Sequence, residues 1–510
     1  MLPLRGHALS ARATKLYSTW RPTANAPLRA VHKRNITTQQ LDAERQDRER
    51  IIVLGSGWAG YTLARDLDPK KYQVVVISPR SYFVFTPLLA GASVGTQEFR
   101  TTLEPVRTRR SKNHFFQGWA DAVDLEGQSL TIEEAVEDPW QGRSLTFDRH
   151  AHESEAQRAH EKQVEAKKGQ LFDLKWDKLV IAVGCYNQTF NTKGVRENAF
   201  FLKDVGDARR IRNRVLECFE TAALPTTSDA MRKHLLNFAV VGGGPTGIEW
   251  SAELHDLIQE DMKRIYPDLV QHAQITVYDV APNVLSMFDE RLSQYAMAQF
   301  NRQGISIKTS HHIEDLRVGA PEATKQHGDV GDSASCYTIK ITEEGEIGIG
   351  MCVWSTGLMM NPFVSNALAG KVKRHDKTGG IVTNERLQVK KDDDSALQHV
   401  YALEDCAVIE DTSYPATAQV ASQKAGWLGT RFNKGDIEQQ KFTYKNLGVM
   451  AYLGNRNAIL QSDGDDISGR VAWFIWRSAY LAKSVSWRNR ILIPTYWFVN
   501  WLFGRDVSRF

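Results

Sequence analysis

Two glycine-rich loops carry the strongest chemical signal in this chain. The first is Gly55-Ser56-Gly57-Trp58-Ala59-Gly60 and the second is Gly242-Gly243-Gly244-Pro245-Thr246-Gly247. In a dinucleotide-binding loop, one glycine permits a tight strand-to-helix turn, another lets the backbone approach a pyrophosphate, and a third lets helix and strand pack closely. We therefore expect two nucleotide sites, one built on Gly55, Gly57 and Gly60 and the other on Gly242, Gly244 and Gly247.

Each loop has to be positioned by the strand before it and the helix after it. Around the first loop, residues 50–54 and 72–77 are apolar and strand-like, and residues 59–67 have helical spacing. The second loop repeats this order, with strands at 238–241 and 275–278 and a helix at 248–257. Two such units predict an α/β fold with two Rossmann-like, dinucleotide-binding domains.

Composition narrows the class of protein. A chain of 510 residues should form about two to four domains. The net charge of +4 is too small for this length to indicate a nucleic-acid partner, and no zinc-finger or basic-helix pattern is present. The cysteines have no close pair, so we expect neither disulfides nor a metal site. They are Cys185, Cys218, Cys336, Cys352 and Cys406.

The N-terminal segment is basic and has no acidic residue before Asp42. Its cations are Arg5, Arg12, Lys15, Arg21, Arg29, Lys33 and Arg34. Serine and threonine are interspersed and no long apolar core is present, which is typical of a mitochondrial transit peptide and not of a secretory signal. We expect residues 1–48 to lie outside the folded domains, as a transit peptide or as a disordered basic tail without a targeting role.

Three further strands predict how the domains are arranged. Strands at 177–184 and 351–357 end in Gly184 and Gly357, where a nucleotide could approach the backbone, although a glycine there is also common in plain turns. A third, at 399–405, ends in Asp405. This order predicts one nucleotide unit inserted in the other. The predicted parts are 49–190 and 358–430 for the first domain, 191–357 for the second and 431–510 for the C-terminal region, with a hydrophilic insertion of loop and exposed helix at 133–174.

Several longer segments resemble one known family. They are residues 78–83, 85–89, 240–249, 415–423 and 447–454. On these segments the chain resembles the type II NADH dehydrogenases, which are NADH:quinone oxidoreductases that do not pump protons, and it is most similar to their fungal mitochondrial branch. The resemblance implies two domains of the FAD/NAD(P)-linked reductase type, with non-covalent FAD in the first and NADH as a substrate in the second.

The resemblance also assigns residues around the flavin. Ser78, Pro79 and Arg80 would contact FAD, and Thr86 and Pro87 would lie near its isoalloxazine ring. Asp405 would hold the ribityl chain, because a carboxylate can accept hydrogen bonds from the ribityl hydroxyls. An acid after a strand can also cap a helix. Glu404 stands where the family has glycine, which adds bulk and charge near the flavin phosphate. We expect its side chain to turn outward to solvent.

Asp279 predicts which nucleotide enters the second site. An acid about twenty or more residues after the loop accepts a bond from the ribose 2′-OH and repels a 2′-phosphate. No arginine stands beside Asp279, so we expect NADH in preference to NADPH. In the first unit the uncharged Ser78 occupies this position. By resemblance Glu249 faces the nicotinamide pocket, although a glutamate in the first turn of a helix is common in any protein.

The acceptor side is predicted from two features. Gln419 and Gln423 share one helix face, and by resemblance they line the quinone end, although they could also be ordinary surface glutamines. The last forty residues combine aromatic and basic groups with the single acid Asp506, which favours an amphipathic helical anchor on a membrane surface. The tryptophans are Trp473, Trp476, Trp487, Trp497 and Trp501.

The apolar run at 491–503 is shorter than the ~20 residues that cross a bilayer. We therefore expect the protein to lie on the membrane as a peripheral protein and not to cross it. With the predicted transit peptide and the family resemblance, we expect this membrane to be the mitochondrial inner membrane, the acceptor to be ubiquinone and the matrix side to be favoured. These helices could instead bury their aromatic rings in a homodimer interface, and both roles are compatible.

Two other functions stay open at this point. A sulfide:quinone oxidoreductase has the same fold but needs redox cysteines near the flavin, for which Cys185 and Cys352 are candidates. A flavoprotein with reduced turnover, acting in signalling or as a scaffold, would be compatible with Glu404.

Overall fold

A computed structural model describes residues 36–109, 111–136, 142–146, 169–325, 335–462 and 465–509. The chain divides into two units after Gln46. In the first unit, helix α1 (Thr38–Arg45) begins with a capping box, in which Thr37 accepts from the Gln40 amide and the Gln40 side chain accepts from the Thr37 amide. The predicted transit peptide lies mostly outside the described residues.

The strands are numbered in chain order. They are β1 (Glu49–Leu54), β2 (Tyr72–Ser78), β3 (Tyr82–Val84), β4 (Leu103–Pro105), β5 (His114–Asp124), β6 (Ser129–Glu134), β7 (Leu171–Lys175), β8 (Lys178–Ile181), β9 (Cys185–Asn187), β10 (Asn237–Val241), β11 (Gln274–Asp279), β12 (Ser306–Thr309), β13 (Ile313–Val318), β14 (Tyr337–Ile341), β15 (Gly345–Ile349), β16 (Met351–Trp354), β17 (Leu358–Met360), β18 (Ile381–Thr383), β19 (Gln388–Lys390), β20 (Ala396–Ala402), β21 (Ala407–Ile409), β22 (Val449–Tyr452), β23 (Ala458–Ser462) and β24 (Asp465–Gly469).

The helices after α1 connect these strands. They are α2 (Trp58–Asp66), α3 (Leu89–Ala92), α4 (Val195–Asn198), α5 (Val205–Ala223), α6 (Asp229–Leu235), α7 (Pro245–Leu257), α8 (Lys263–Ile265), α9 (Glu290–Gln303), α10 (Glu322–Lys325), α11 (Ala418–Lys434), α12 (Arg470–Lys483) and α13 (Trp487–Phe503). Short 3₁₀ turns occur at Thr86–Leu88, Phe99–Thr102, Val270–His272, Glu404–Cys406 and Ile437–Gln439, and π turns at Ile258–Met262 and Phe363–Ala367.

The first nucleotide unit is built on a ten-stranded sheet. Its order is β21-β18-β19-β20-β8-β1-β2-β5-β6-β7. At its centre β1 pairs in parallel with both β2 and β8. These three strands consist mainly of apolar residues. Such a composition is typical of a parallel sheet whose two faces are both covered by helices and loops. Helix α2 follows β1 through the first glycine loop and packs on α11.

The second unit repeats this arrangement on a smaller scale. Its four-stranded sheet has the order β12-β11-β10-β16, and all of its pairings are parallel. Helix α7 begins at Pro245, a favoured residue at the first helical position because its missing N–H has no partner there in any case. The parallel strands at the centre of the first, mixed sheet and the parallel second sheet confirm the predicted α/β fold class.

The strands of the second sheet lie between residues 237 and 354, whereas those of the first lie at 49–181 and 381–409. The second unit is thus inserted in the sequence of the first, and the exact domain boundaries stay predictions. Within the segment 133–174, for which we expect loop and exposed helix, Leu171–Lys175 is a strand paired with β6. Only Leu174 in that strand is buried. Because the other side chains of the strand are at least partly exposed, its sequence is similar to that of a solvated loop.

The C-terminal region begins with the antiparallel strands β22, β23 and β24 and ends with α12 and α13. Trp476 of α12 is buried and stacks on Tyr452 of β22. The guanidinium of Arg477 lies over the rings of both Trp473 and Trp497, which joins the two helices. In the described residues, no helix has both the length and the apolar character needed to cross a bilayer.

Candidate active site

One large cavity of about 570 Å³ reaches both nucleotide units. Its wall runs from the first glycine loop to Thr246 and Ser355 of the second unit. This volume is in the range of cofactor pockets. Nine residues predicted from the sequence line it, namely Gly55, Gly57, Ser78, Pro79, Arg80, Thr86, Gly184, Gly357 and Asp405.

The first loop requires glycine at its two ends for steric reasons. Gly55 has a φ of +106°, and a Cβ there would lie 2.1 Å from the Ala182 carbonyl oxygen. A Cβ at Gly60 would lie 2.1 Å from the Gly55 carbonyl oxygen. The tight turn and the close helix packing predicted for these positions are therefore both present.

Polar groups at the end of β2 form one wall of the cavity. The hydroxyls of Ser56 and Ser78 lie 2.9 Å apart, and Ser78 accepts from the Arg80 amide at 3.2 Å. The Arg80 guanidinium pairs with Asp204 at 2.9 Å. Arg80 is thus anchored by a buried carboxylate while it faces the cavity.

A lysine in the cavity wall lies close to Asp405. Lys203 donates to the Cys185 carbonyl oxygen at 2.5 Å, and the Cys185 thiol donates to the Asp405 carbonyl oxygen at 3.2 Å. Removal from water raises the pKa of Asp405, and the positive charges of Lys203 and Lys424 oppose that shift. Lys203 belongs to no motif, so the sequence offers no signal for its position.

Glu404 points into the cavity, so the expectation that it turns outward is wrong. Its Oε1 accepts from the Ala59 amide at 2.5 Å, at the N-terminus of α2. A Cβ on Gly57 would lie 2.8 Å from the same oxygen. Removal from water, followed by the charge of Asp405, raises the pKa of Glu404 to about 7.

The second loop has the same steric design and an acid beside it. A Cβ at Gly247 would lie 2.0 Å from the Gly242 carbonyl oxygen, whereas a Cβ at Gly244 would meet no atom within 4 Å. Asp279, at the end of β11, accepts from the Gly243 amide at 2.5 Å. Asp279 therefore lies against the loop, and its contact with a ribose stays a prediction.

Glu249, which the resemblance places at the nicotinamide pocket, does not line the large cavity. It lies in a small second cavity with Pro87, Glu253, Trp476 and Trp497, separated from the first by the turn Thr86–Leu88. Its Oε1 accepts from the Tyr452 amide at 3.1 Å and from the Trp476 indole at 3.2 Å. Burial raises the pKa of Glu249 to about 8.

The two predicted glutamines contact the chain that leads into the C-terminal region. Gln419 donates to the Gly448 carbonyl oxygen at 3.2 Å and accepts from the Leu447 amide at 3.0 Å. Gln423 exchanges two bonds with the backbone of Lys445. Neither glutamine lines either cavity, and their role at the quinone end stays a prediction.

Known proteins match this chain over nearly its whole length. The family described as pyridine nucleotide-disulphide oxidoreductase matches residues 49–425, and the NDH2 C-terminal domain matches residues 446–506. A probable NADH dehydrogenase of Dictyostelium discoideum is 37% identical over 91% of this chain and 92% of its own length. The chain belongs to the type II NADH dehydrogenase family.

Other members and a solved structure agree with this assignment. An internal alternative NAD(P)H-ubiquinone oxidoreductase A1 from mitochondria of Solanum tuberosum is 33% identical, with 92% of this chain and 90% of that protein covered. The structure of NDH2 from Plasmodium falciparum in complex with NADH has the same fold, with a TM-score of 0.75 at 24% identity over 90% of this chain and all of that one. The fungal branch stays a prediction.

The large cavity fits the FAD of a type II NADH dehydrogenase at all but one position. Its glycine loop makes the tight turn of a dinucleotide-binding site, and Asp405 offers a carboxylate to the ribityl hydroxyls. The exception is Glu404, which holds the helix N-terminus that a diphosphate would use.

The two glycines of the second loop should respond differently to alanine. Gly247→Ala forces a methyl group against backbone, which should destabilise the protein by about 1–3 kcal/mol and raise the KM for NADH. Gly244→Ala meets no protein atom, so it should raise this KM without changing the melting temperature. Thermal unfolding and NADH titration test both variants, and equal melting temperatures for the two would contradict this account.

Proposed function

We propose that this protein is a FAD-dependent NADH:ubiquinone oxidoreductase that moves two electrons from NADH to a membrane quinone without pumping protons. The observation that carries the proposal is the single cavity lined by residues of both glycine-loop units. When bound there, FAD supplies the hydride acceptor and the electron donor to the quinone, while the protein supplies position and electrostatics.

The residues of the cavity have distinct roles in this proposal. Gly55 permits the tight turn, Gly57 lets the backbone approach the diphosphate, and Ser78 bonds the adenosine ribose. Asp405 holds the ribityl chain, with Lys203 limiting the cost of its charge. Gly184 and Gly357 keep the walls near the nucleotides free of side chains, and Thr86 lies at the flavin end.

The decisive experiment uses the full-length protein. Its flavin absorbance should bleach on addition of NADH and return on addition of a short-chain quinone. Bleaching by sulfide instead of NADH would favour a sulfide:quinone oxidoreductase, and failure to bleach would favour a flavoprotein without turnover. Burial raises the pKa of the Cys185 thiol to about 12, which argues against a reactive thiolate in the cavity.

Asp279 supports NADH as the preferred nucleotide, because its carboxylate would repel a 2′-phosphate. In the wild type, kcat/KM should be at least ~10-fold higher for NADH than for NADPH, which corresponds to about 1.4 kcal/mol. Asp279→Ser should reduce this ratio, mainly because NADH binds more weakly to the variant. Steady-state rates with both nucleotides test this, and equal efficiencies in the wild type would contradict it.

Glu249 is suited to deliver a proton to the quinone. It shares the small cavity with Pro87, at the predicted isoalloxazine end, and with aromatic rings that exclude water. With a pKa of about 8, the acid is mostly protonated at neutral pH and becomes charged as the pH rises above that value. A neutral buried carboxylic acid is a competent general acid.

The rate of flavin reoxidation by quinone should therefore fall as pH rises through about 8. Glu249→Gln should slow reoxidation by about 10²-fold and remove this pH dependence, while bleaching by NADH is unchanged. Glu253→Gln, one helical turn along α7 in the same cavity, is the matched control. If flavin reoxidation slows equally in both variants, or does not slow in Glu249→Gln, Glu249 has no special role in it.

We further propose that α12 and α13 bind a membrane surface. Nine of the nineteen large apolar side chains that are exposed among the described residues lie in these two helices. They are Val471, Phe474, Trp487, Ile491, Phe498, Val499, Trp501, Leu502 and Phe503. Basic residues lie beside them, as an interfacial anchor on anionic lipid requires.

Replacing Phe498, Trp501 and Phe503 by serine should lower the affinity for vesicles containing anionic lipid at least ~10-fold, because exposed rings are lost without disturbing the buried Trp476. Replacing Leu171, Val280 and Val318, which are also exposed, is the control. Co-sedimentation with vesicles measures both. Unchanged binding of the first variant would exclude these helices as the anchor.

The relative from Solanum tuberosum is named as a mitochondrial protein, which supports a mitochondrial location. The matrix-facing orientation and the homodimer stay predictions from the sequence.

A further inference from the structure

The side chain of Glu404 caps helix α2. A helix N-terminus has backbone amides without partners and a partial positive charge, both of which attract an anion. Gly57 is the N-cap of α2 and has no side chain to offer. The Glu404 carboxylate takes this role from a distant part of the chain, by accepting from the Ala59 amide at 2.5 Å.

This is the position at which a dinucleotide loop receives its pyrophosphate. The second glycine of such a loop leaves space for the ligand, and the space above Gly57 is filled by Glu404 Oε1. Glu404 has a φ of +64°, in the left-handed region that favours glycine. The chain therefore holds a bulky, acidic residue in a strained backbone conformation where the fold needs neither.

The charges around Glu404 are of both signs. The positive charges of Arg80, Lys203 and Lys424 of α11 interact with it, whereas Asp405 adds a second carboxylate. The thiols of Cys185 and Cys406 also lie near it, and burial raises the pKa of each. A diphosphate beside two carboxylates would meet repulsion, which these three cations oppose.

We propose that Glu404 competes with the FAD diphosphate for the N-terminus of α2, so that its carboxylate must leave Ala59 before the cofactor can bind. Glu404 thereby weakens FAD binding and ties it to pH. This proposal rests on the proposed use of FAD and concerns how firmly the cofactor is held, not the reaction.

The direction of the pH effect follows from the pKa of about 7 for Glu404. Below that value the acid is neutral, its bond to α2 is weaker and it does not repel a diphosphate, so FAD binds more tightly. Above it the carboxylate is charged and competes, so FAD binds more weakly. The pKa of Asp405 is also raised, so the contribution of Glu404 has to be isolated by comparison with a variant.

The test measures FAD binding by the full-length protein in the absence of NADH and quinone. Flavin fluorescence gives the Kd on titration of the FAD-free protein and the rate of FAD release on dilution of the loaded protein. Glu404→Gly should lower the Kd at least ~10-fold. Glu404→Gln, which keeps the shape but not the charge, should bind with little dependence on pH between about 6 and about 8.

Asp411→Gly is the matched control for backbone strain. Asp411 is exposed and also has a positive φ, of +56°, but does not line the cavity. It should leave the Kd for FAD unchanged.

The role of Glu404 is overturned if Glu404→Gly binds FAD no more tightly than the wild type, or if Glu404→Gln keeps the pH dependence of the wild type. Absence of FAD binding in every variant would overturn the proposed function as well.

Discussion

The rest of the structure depends on the close approach of helix to strand at the two glycine loops. At each loop the last glycine lies against the carbonyl oxygen of the first, at a distance that leaves no room for a Cβ. This contact fixes where α2 and α7 begin, and Trp58 and Thr246 at their N-termini line the large cavity. The cavity wall, the position of Asp279 and the capping of α2 by Glu404 all follow from it.

Features set by local sequence could be predicted. The loops, their strands and helices, and residues such as Ser78, Asp405 and Gly357 depend on short motifs, and these three line the cavity. Lys203, by contrast, reaches Cys185 and Asp405 only through tertiary packing. Glu404 is predicted to face water because its bulk and charge would otherwise lie close to the flavin phosphate. In the structure the N-terminus of α2 attracts this charge and partly offsets its removal from water.

The position of Glu249 has a similar explanation. Its place in the first turns of α7 is clear from the sequence, but its partners Tyr452 and Trp476 are more than two hundred residues away. The periodicity of apolar residues along the sequence does not indicate contacts between residues so far apart in the chain. The glutamines of α11 share a face as predicted, yet that face is bonded to residues 444–448, whose conformation is not evident from composition.

The two C-terminal helices contribute side chains both to the protein surface and to the small internal cavity. Their exposed faces carry apolar rings, while Trp476 and Trp497 on the same helices line the small cavity beside Glu249. If these helices bind a bilayer as proposed, an acceptor dissolved in the lipid would approach Glu249 from the lipid and would not have to cross water. The concentration that governs the second half-reaction is then the amount of quinone per unit of lipid, so diluting the membrane with inert lipid would slow the enzyme even at constant total quinone.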